Sequence, residues 1–376
     1  MEIRQVYEFV NDAVEEVIGD SVVVSEDLSN VVDVGTAIFN ANAFDAYVRS
    51  LVNHIGKVIF VNRPYRGSAP SVLMDAWEYG SVVEKITSEM PQAVENESWD
   101  LIDGHSYDPH VFHKPVAEAK FFNKMTTFEI EASITEMQVK QSFSSATQLN
   151  AFISMIFNEI EKAMTVRNDA LIMRTINNMI VETAKSANAN RAVNLLSRYN
   201  TQYGESLTAG QAILKPEFIR YAAYQIALYT DRLTRMSTLF NGGGKQRFTP
   251  KDLQHIVMLS EFRAAADVFL QSNTFHDEYT KLVNAETVPF WQGSGTDYAF
   301  ASTGKIMATP ASGGDAQTVN GVLGVIFDRD ALGVMNNNQR VTTQWNAKAE
   351  FTNYFYKKDA RYFNDLNENF VVFFVA

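Results

Sequence analysis

The chain has 376 residues, no cysteine and a formal net charge of −12, with 46% hydrophobic and 20% charged residues. Such a composition is globular throughout, because disordered chains carry more charge and fewer aromatics, and the length allows two or three domains. Disulfide staples, thiolate zinc sites and cysteine nucleophiles are excluded. The acidic balance argues against a protein that grips phosphate, while allowing one that encloses nucleic acid without gripping it.

Met1–Val10 is acidic and mixed, without the basic start and apolar stretch of a secretory signal. No apolar run reaches the length of a membrane span. The expectation is a soluble protein made in a cytoplasm.

In chain order, Val6, Val10, Val14, Val17 and Ile18 fall near helical spacing and predict an amphipathic helix over 1–19, ended by Gly19. A second helix is expected over 36–55, with Ile38, Phe44, Val48, Leu51, Val52 and Ile55 as its stripe. The stretch Asn62–Pro70 carries two prolines and a glycine and reads as an extended arm. Two β-rich stretches follow, near 78–90 and 119–139. In the second, Phe128, Ile130, Ala132, Ile134 and Met137 nearly alternate with Glu129, Glu131, Ser133 and Thr135, the period-two pattern of a half-exposed strand. With the polar, proline-containing loop between them, residues 78–139 read as one long hairpin with an irregular tip. A projection of that kind buries little of its own surface, so a lone subunit would hold it poorly.

From Val116 to Tyr203 there is neither glycine nor proline. Leu149, Phe152, Ile153, Ile156, Ile160, Ala163, Met164 and Leu171 recur at three-and-four spacing, and Ile172, Ile176, Met179 and Ile180 continue after a shift in phase. This predicts one helix over 146–187, capped by Ser144 or Ser145 and about 60 Å long at about 1.5 Å per residue. Residues 191–335 read as a compact α/β domain. It holds a helix after Pro216, a flexible Gly242-Gly243-Gly244 loop, a buried strand at His255–Leu259 running into a helix capped by Ser260, glycine- and serine-rich loops over 287–320, and a buried strand at Val322–Phe327. The tail returns to strand at Phe351–Tyr356 and Phe370–Ala376. The fold class is α+β.

Catalytic patterns are scarce. His105, His110 and His113, with Asp100, Asp103 and Asp108, form the one cluster of metal-ligand types. They match no helical zinc motif and sit in a proline-containing loop, which favours surface residues at a loop tip. Gly242–Lys245 and Gly293-Ser-Gly295 match neither a phosphate loop nor a dinucleotide fingerprint. No nucleophile elbow or triad is visible, and no cofactor or metal is expected.

The order of elements resembles the Hong Kong 97 fold of tailed-bacteriophage major capsid proteins: an N-terminal arm, an extended β-hairpin loop, a long spine helix, an axial domain and a return to a β-rich peripheral domain. Phe121–Ile130 leading to the spine helix, Gly324–Gly333 and the closing Asn367–Phe374 are similar to that family in sequence as well. The resemblance implies an arm over 1–75, an extended loop over 76–140, a spine helix over 141–190, an axial domain over 191–340 and peripheral strands over 341–376. It further implies a subunit, not an enzyme, that assembles as hexamers and pentamers into an icosahedral head shell around phage double-stranded DNA, contacted weakly and non-specifically. The loop would lie over a neighbour, with Trp77, Tyr79, Phe121, Phe122 and Phe128 as anchors, and Gly242, Gly243 and Gly244 would lie near the symmetry axis. Because the arm begins almost at Met1, a separate scaffolding protein is implied, together with a portal protein, assembly in the bacterial cytoplasm, residence in the virion and no membrane partner. The alternatives are an encapsulin-like nanocompartment shell with the same fold, and a metal-dependent hydrolase using the His105–His113 loop.

Overall fold

Two segments with the same alternation of apolar and polar residues, far apart in sequence, find each other across a sheet. In a computed structural model, which describes residues 11–12, 14–17, 33–34, 46–47, 69–74, 82–91, 93–135, 146–186, 188–271, 284–292 and 300–376, Met125–Thr135 (β4) pairs antiparallel with Phe351–Asn364 (β12) over eleven rungs, from Phe351 opposite Thr135 to Arg361 opposite Met125. On β12 the even positions Thr352, Tyr354, Tyr356, Lys358 and Ala360 are buried. The register puts Ala132, Ile130 and Phe128 of β4 opposite Tyr354, Tyr356 and Lys358, on that same inner face. The outer face is polar and cross-linked by side chains: Lys357 Nζ stands 3.3 Å from Glu129, Thr127 donates to Asp359 at 2.7 Å, and Arg340 meets the other Asp359 oxygen at 2.7 Å.

Leu332–Asn346 (β11) and the short Leu73–Met74 (β1) complete this sheet in the order β1-β11-β12-β4. The sheet belongs to one of two units into which the chain divides: 1–78, 125–172 and 334–361 against 79–124, 173–333 and 362–376. The sequence-based hairpin over 78–139 is therefore shorter than expected. Its returning strand stops at Phe122, the polar pair Asn123-Lys124 breaks the ladder, and β4 leaves for a partner whose alternation it matches. Within the two N-terminal helices expected over 1–19 and 36–55, residues 11–12, 14–17 and 46–47 are helical and Val14 and Tyr47 are buried; the rest of both lies outside the described residues.

The second unit is built on a five-stranded mixed sheet. Its order is β5-β13-β10-β6-β7, where β5 is Ala192–Asn194, β6 Gln254–Leu259, β7 Glu286–Val288, β10 Val322–Asp328 and β13 Phe370–Phe374. Central β10 is buried at all seven positions, flanked antiparallel by β6 and β13. This is why its sequence is a continuous apolar run without alternation. Gly324 eases the packing there, since a Cβ would come 3.0 Å from the Val257 carbonyl of β6.

The long helix forms as the missing glycines and prolines require: α1 spans Ala146–Lys185 without a break. Its later turns are buried on more than one face, with Ile172, Ile176, Met179, Ile180 and Val181 joined by buried Thr175, Asn177 and Thr183; the phase shift in the stripe reflects that all-round burial. Leu195–Tyr203 (α2) starts on an Asn194 cap and ends at Gly204, whose φ of 66° is left-handed. After Ala209–Ile213 (α3), Pro216–Leu233 (α4) has proline in its first turn and buries Phe218, Tyr221, Ala222, Ile226, Tyr229 and Leu233. Ser260–Gln271 (α5) follows β6 directly. The loops expected over 287–320 contain a four-residue helix (α6, Phe300–Thr303) and a small hairpin of Ile306–Ala308 (β8) with Gln317–Val319 (β9). Among the described residues no helix is long and apolar enough to cross a membrane.

Lys358 is an unusual resident of the inner face of β12, 8% exposed. Burial of its charged form pulls its pKa down to about 8. The unfolded chain holds a proton up to about 10.5, so between those values it binds more protons than the folded chain, and stability rises with pH across that window. Lys358→Met is expected to stabilise the subunit at pH 7 by about 1–2 kcal/mol. The gain should shrink as pH approaches 10, when read as thermal unfolding of both proteins from pH 7 to 10. An equal gain at both ends would show that packing, not charge, is responsible.

Candidate interaction surface

The hairpin is made by Val83–Ser88 (β2) and Ala117–Phe122 (β3), paired antiparallel from Val83 opposite Phe122 to Ser88 opposite Ala117. Alternation gives it two unlike faces. Val83, Lys85 and Thr87 with Glu118, Lys120 and Phe122 are half-buried, whereas Ile86 and Phe121 stand exposed on the other side. Two strands alone are marginal in water, so the base needs a hold, and ion pairs supply it.

Asp365 and Glu368 lie in the turn between β12 and β13, their side chains 2% and 9% exposed. Lys85 Nζ reaches Glu368 at 2.7 Å, Asp365 at 3.0 Å and the Asp330 carbonyl at 3.2 Å. Lys120 Nζ meets the other Asp365 oxygen at 2.8 Å. Further along, Lys245 bridges Glu89 at 2.7 Å and Glu118 at 2.9 Å, and Arg247 approaches Glu368 at 3.4 Å. Burial works to raise the Asp365 pKa, but Lys120, Lys85 and the Asn367 N–H outweigh it and hold the carboxyl below its ordinary value. Burial likewise works against the Lys85 charge, and hydrogen bonding to Glu368 with the field of Asp365 reverses that, so its pKa lies above the usual lysine value. Phe122 adds an aromatic contact to Phe363, ring centroids 5.1 Å apart.

Beyond this clasp the connection between the strands is exposed at every described position from Ser88 to Ala117. It is not polar. Trp99 is 96% exposed and Phe112 82%, and Val94, Leu101, Ile102 and Val111 are exposed with them. Its order comes from small local bonds: Asn96 caps the turn Glu97–Trp99, the Tyr107 hydroxyl accepts from the Ile102 N–H, and Asp108 accepts from the His110 N–H. So many large apolar side chains exposed along one connection mark a candidate interaction surface.

The expected contact residues scatter. Phe121 is exposed on the outward face of the hairpin. Phe122 turns inward to Phe363, and Phe128 sits half-buried on the inner face of β4, opposite Lys358. Trp77 and Tyr79 lie outside the described residues. The Gly242–Gly244 loop wraps the Leu366–Asn367 turn: Gly242 and Gly243 both donate to the Leu366 carbonyl, at 2.7 and 2.8 Å, and a Cβ on Gly243 would lie 2.0 Å from Asn367 Oδ1. His105, His110 and His113 are exposed, His105 against the Tyr107 ring, and among the described residues no three His, Asp or Glu side chains come together as a metal site would require. The clasp residues Lys85, Lys120, Asp365 and Glu368 escaped sequence reading, since the partners lie in segments that only the folded topology brings together.

A family model described as Phi29-like phage major capsid protein matches residues 8–374. The chain belongs to that family. Members of the Phi29-like phage major capsid protein family are structural subunits of the capsid, and this chain is a capsid protein of the virion, not an enzyme. No curated protein matches. Solved structures agree on the fold. The chain is similar to one in the capsid structure of Staphylococcus phage Andhra, at 11% identity and a TM-score of 0.51, covering 84% of this chain and 86% of that one. It is also similar to one from the structure of head fiber and inner core protein gp22 of native bacteriophage P68, at 10% identity and a TM-score of 0.52, with 84% and 90% covered. The fold is of the Hong Kong 97 type.

Proposed function

We propose that this Phi29-like capsid protein assembles as hexamers and pentamers into an icosahedral head shell around double-stranded phage DNA. The observation that carries the reading is the hairpin 83–122: clamped at its base by buried carboxylates, it holds out a tip whose Trp99 and Phe112 rings are uncovered among the described residues. In a shell that tip lies on a neighbouring copy, and Phe121 on the outward face of the hairpin joins the contact. Residues 1–75 act as an arm, 191–340 as the axial domain, and α1 with the C-terminal strands as the peripheral domain. The net charge of −12 suits a wall along which DNA must slide. Assembly takes place in the host cytoplasm, with a scaffolding and a portal protein as partners.

Each contact in such a shell can be modest, because a typical specific interface of about 1,600 Å² is repeated many times in a closed particle. The test is to produce the chain with its neighbouring genes and treat purified particles with nuclease. Shells retaining nuclease-resistant double-stranded DNA are expected. Particles filled with protein cargo and free of DNA would instead support a nanocompartment.

A further inference from the structure

The segment Arg232–Lys251 holds five cations and no acidic residue, with Asp231 at its edge pairing Lys251 at 2.6 Å, whereas Glu89–Val116 holds six acidic residues against the single Lys114. The basic segment is a firmly built loop. The Thr249 N–H donates to the Leu233 carbonyl at 2.7 Å, Ser237 and Arg247 exchange backbone bonds at 2.9 and 3.0 Å, and Asn241 closes the turn through both its side-chain atoms to Lys245. The antiparallel Ser237–Arg247 bridge sets Met236 opposite Phe248 on one face. Both are exposed, as are Leu239, Arg232 and Arg235. Lys245 and Arg247 are engaged with Glu89, Glu118 and Glu368 of the clasp, so this loop stands beside the base of its own hairpin. The chain thus carries an acidic apolar tip and a basic apolar patch, and among the described residues the tip is uncovered although both belong to one unit.

We infer that the patch formed by Met236, Leu239 and Phe248 with Arg232 and Arg235 is the seat for the hairpin tip of a second copy of this chain. The inference rests on the shell reading above and specifies its receptor. The two surfaces are different and complementary, so the contact is head-to-tail, the kind that closes into rings when its rotation divides a circle. Opposite charges set the register and speed encounter, while Trp99 and Phe112 against Met236 and Phe248 supply the apolar core.

Since the chain has no cysteine, one engineered pair provides all the thiols. Phe112→Cys with Met236→Cys, oxidised in particles made with the neighbouring genes, is expected to give a ladder of covalent oligomers on reducing-agent-free gels. A disulfide within single chains, or intact particles with no disulfide, would overturn the inference while leaving the shell reading standing. Failure of the cysteine-free parent to form any oligomer would sink both. A charge swap guards against mere damage at the cysteines. Arg232→Glu with Arg235→Glu should lower particle yield at least tenfold, and adding Asp100→Lys with Asp103→Lys should restore it. No restoration, with all variants folded, would count against the pairing.

Discussion

Trp99→Glu combined with Phe112→Glu is expected to abolish ring and shell formation while leaving the melting temperature of the subunit unchanged. The two rings are 96% and 82% exposed, so they contribute almost nothing to the subunit's own core, and exposed substitutions usually fall within about 0.5 kcal/mol of neutral. At an interface centre each such ring is worth about 2–4 kcal/mol. Losing both, with two charges added to an already acidic tip, raises the concentration needed for association at least about 1,000-fold. Light scattering across a concentration series, beside thermal unfolding, checks both halves. A variant that still assembles normally would place the subunit contact elsewhere; a variant that unfolds early would show that the tip packs on its own chain.

Asp365→Ala should have the opposite profile, damaging the hold on the hairpin first. The carboxylate is buried, accepts from Lys85 and Lys120 through its two oxygens, and also caps its own turn through the Asn367 N–H at 3.0 Å. Removing a partner from a buried pair costs about 3–5 kcal/mol; here about 3 kcal/mol is expected, because both lysines can turn toward water and Lys85 keeps Glu368. Hydrogen exchange of Val83–Ser88 and Ala117–Phe122 should accelerate strongly, while that of central β10 changes little. Unchanged exchange in the hairpin would mean that the strand pairing, not the clasp, holds it. The sign of the pH dependence follows from the same contacts. Asp365 has a depressed folded pKa, so its contribution is complete above the ordinary carboxylate value near 3.8 and is lost as pH falls through the depressed one. Lys85 has a raised folded pKa, so its contribution is complete below about 10.5 and fades only as pH climbs further. The wild-type hairpin is therefore expected to hold equally from about pH 5 to 9 and to loosen in stronger acid.

What the sequence made legible was whatever depends on local periodicity. The glycine-free run gave α1, the unbroken apolar run at Val322–Phe327 gave the central strand, and the alternation at 125–135 gave β4 as a half-buried strand. Pairing was less legible. β4 follows the hairpin so closely that its alternation read as part of it, although its partner is more than 200 residues away, and nothing local distinguishes the two cases. Strand β11 hid behind Asn336-Asn337-Asn338, a run that looks like a turn but lies inside an extended ladder. The candidate surface divides the same way. Aromatic residues on the hairpin were visible, but which face each ring takes depends on the register. Phe121 and Phe122 are neighbours, and one is exposed while the other packs on Phe363. The His105–His113 cluster was conspicuous in composition, and its exposed residues do not converge. The tip residues Trp99 and Phe112, which carry the proposal, were passed over, because an apolar side chain in a polar loop gives no sign of whether its own fold covers it.

A capsid subunit of this kind is completed by copies of itself. Negative-stain electron microscopy with light scattering, on the purified protein made alone and with its neighbouring genes, tests this most directly. Closed shells or capsomer rings are the expected result. A monomer whose size does not change with concentration under either condition would contradict it.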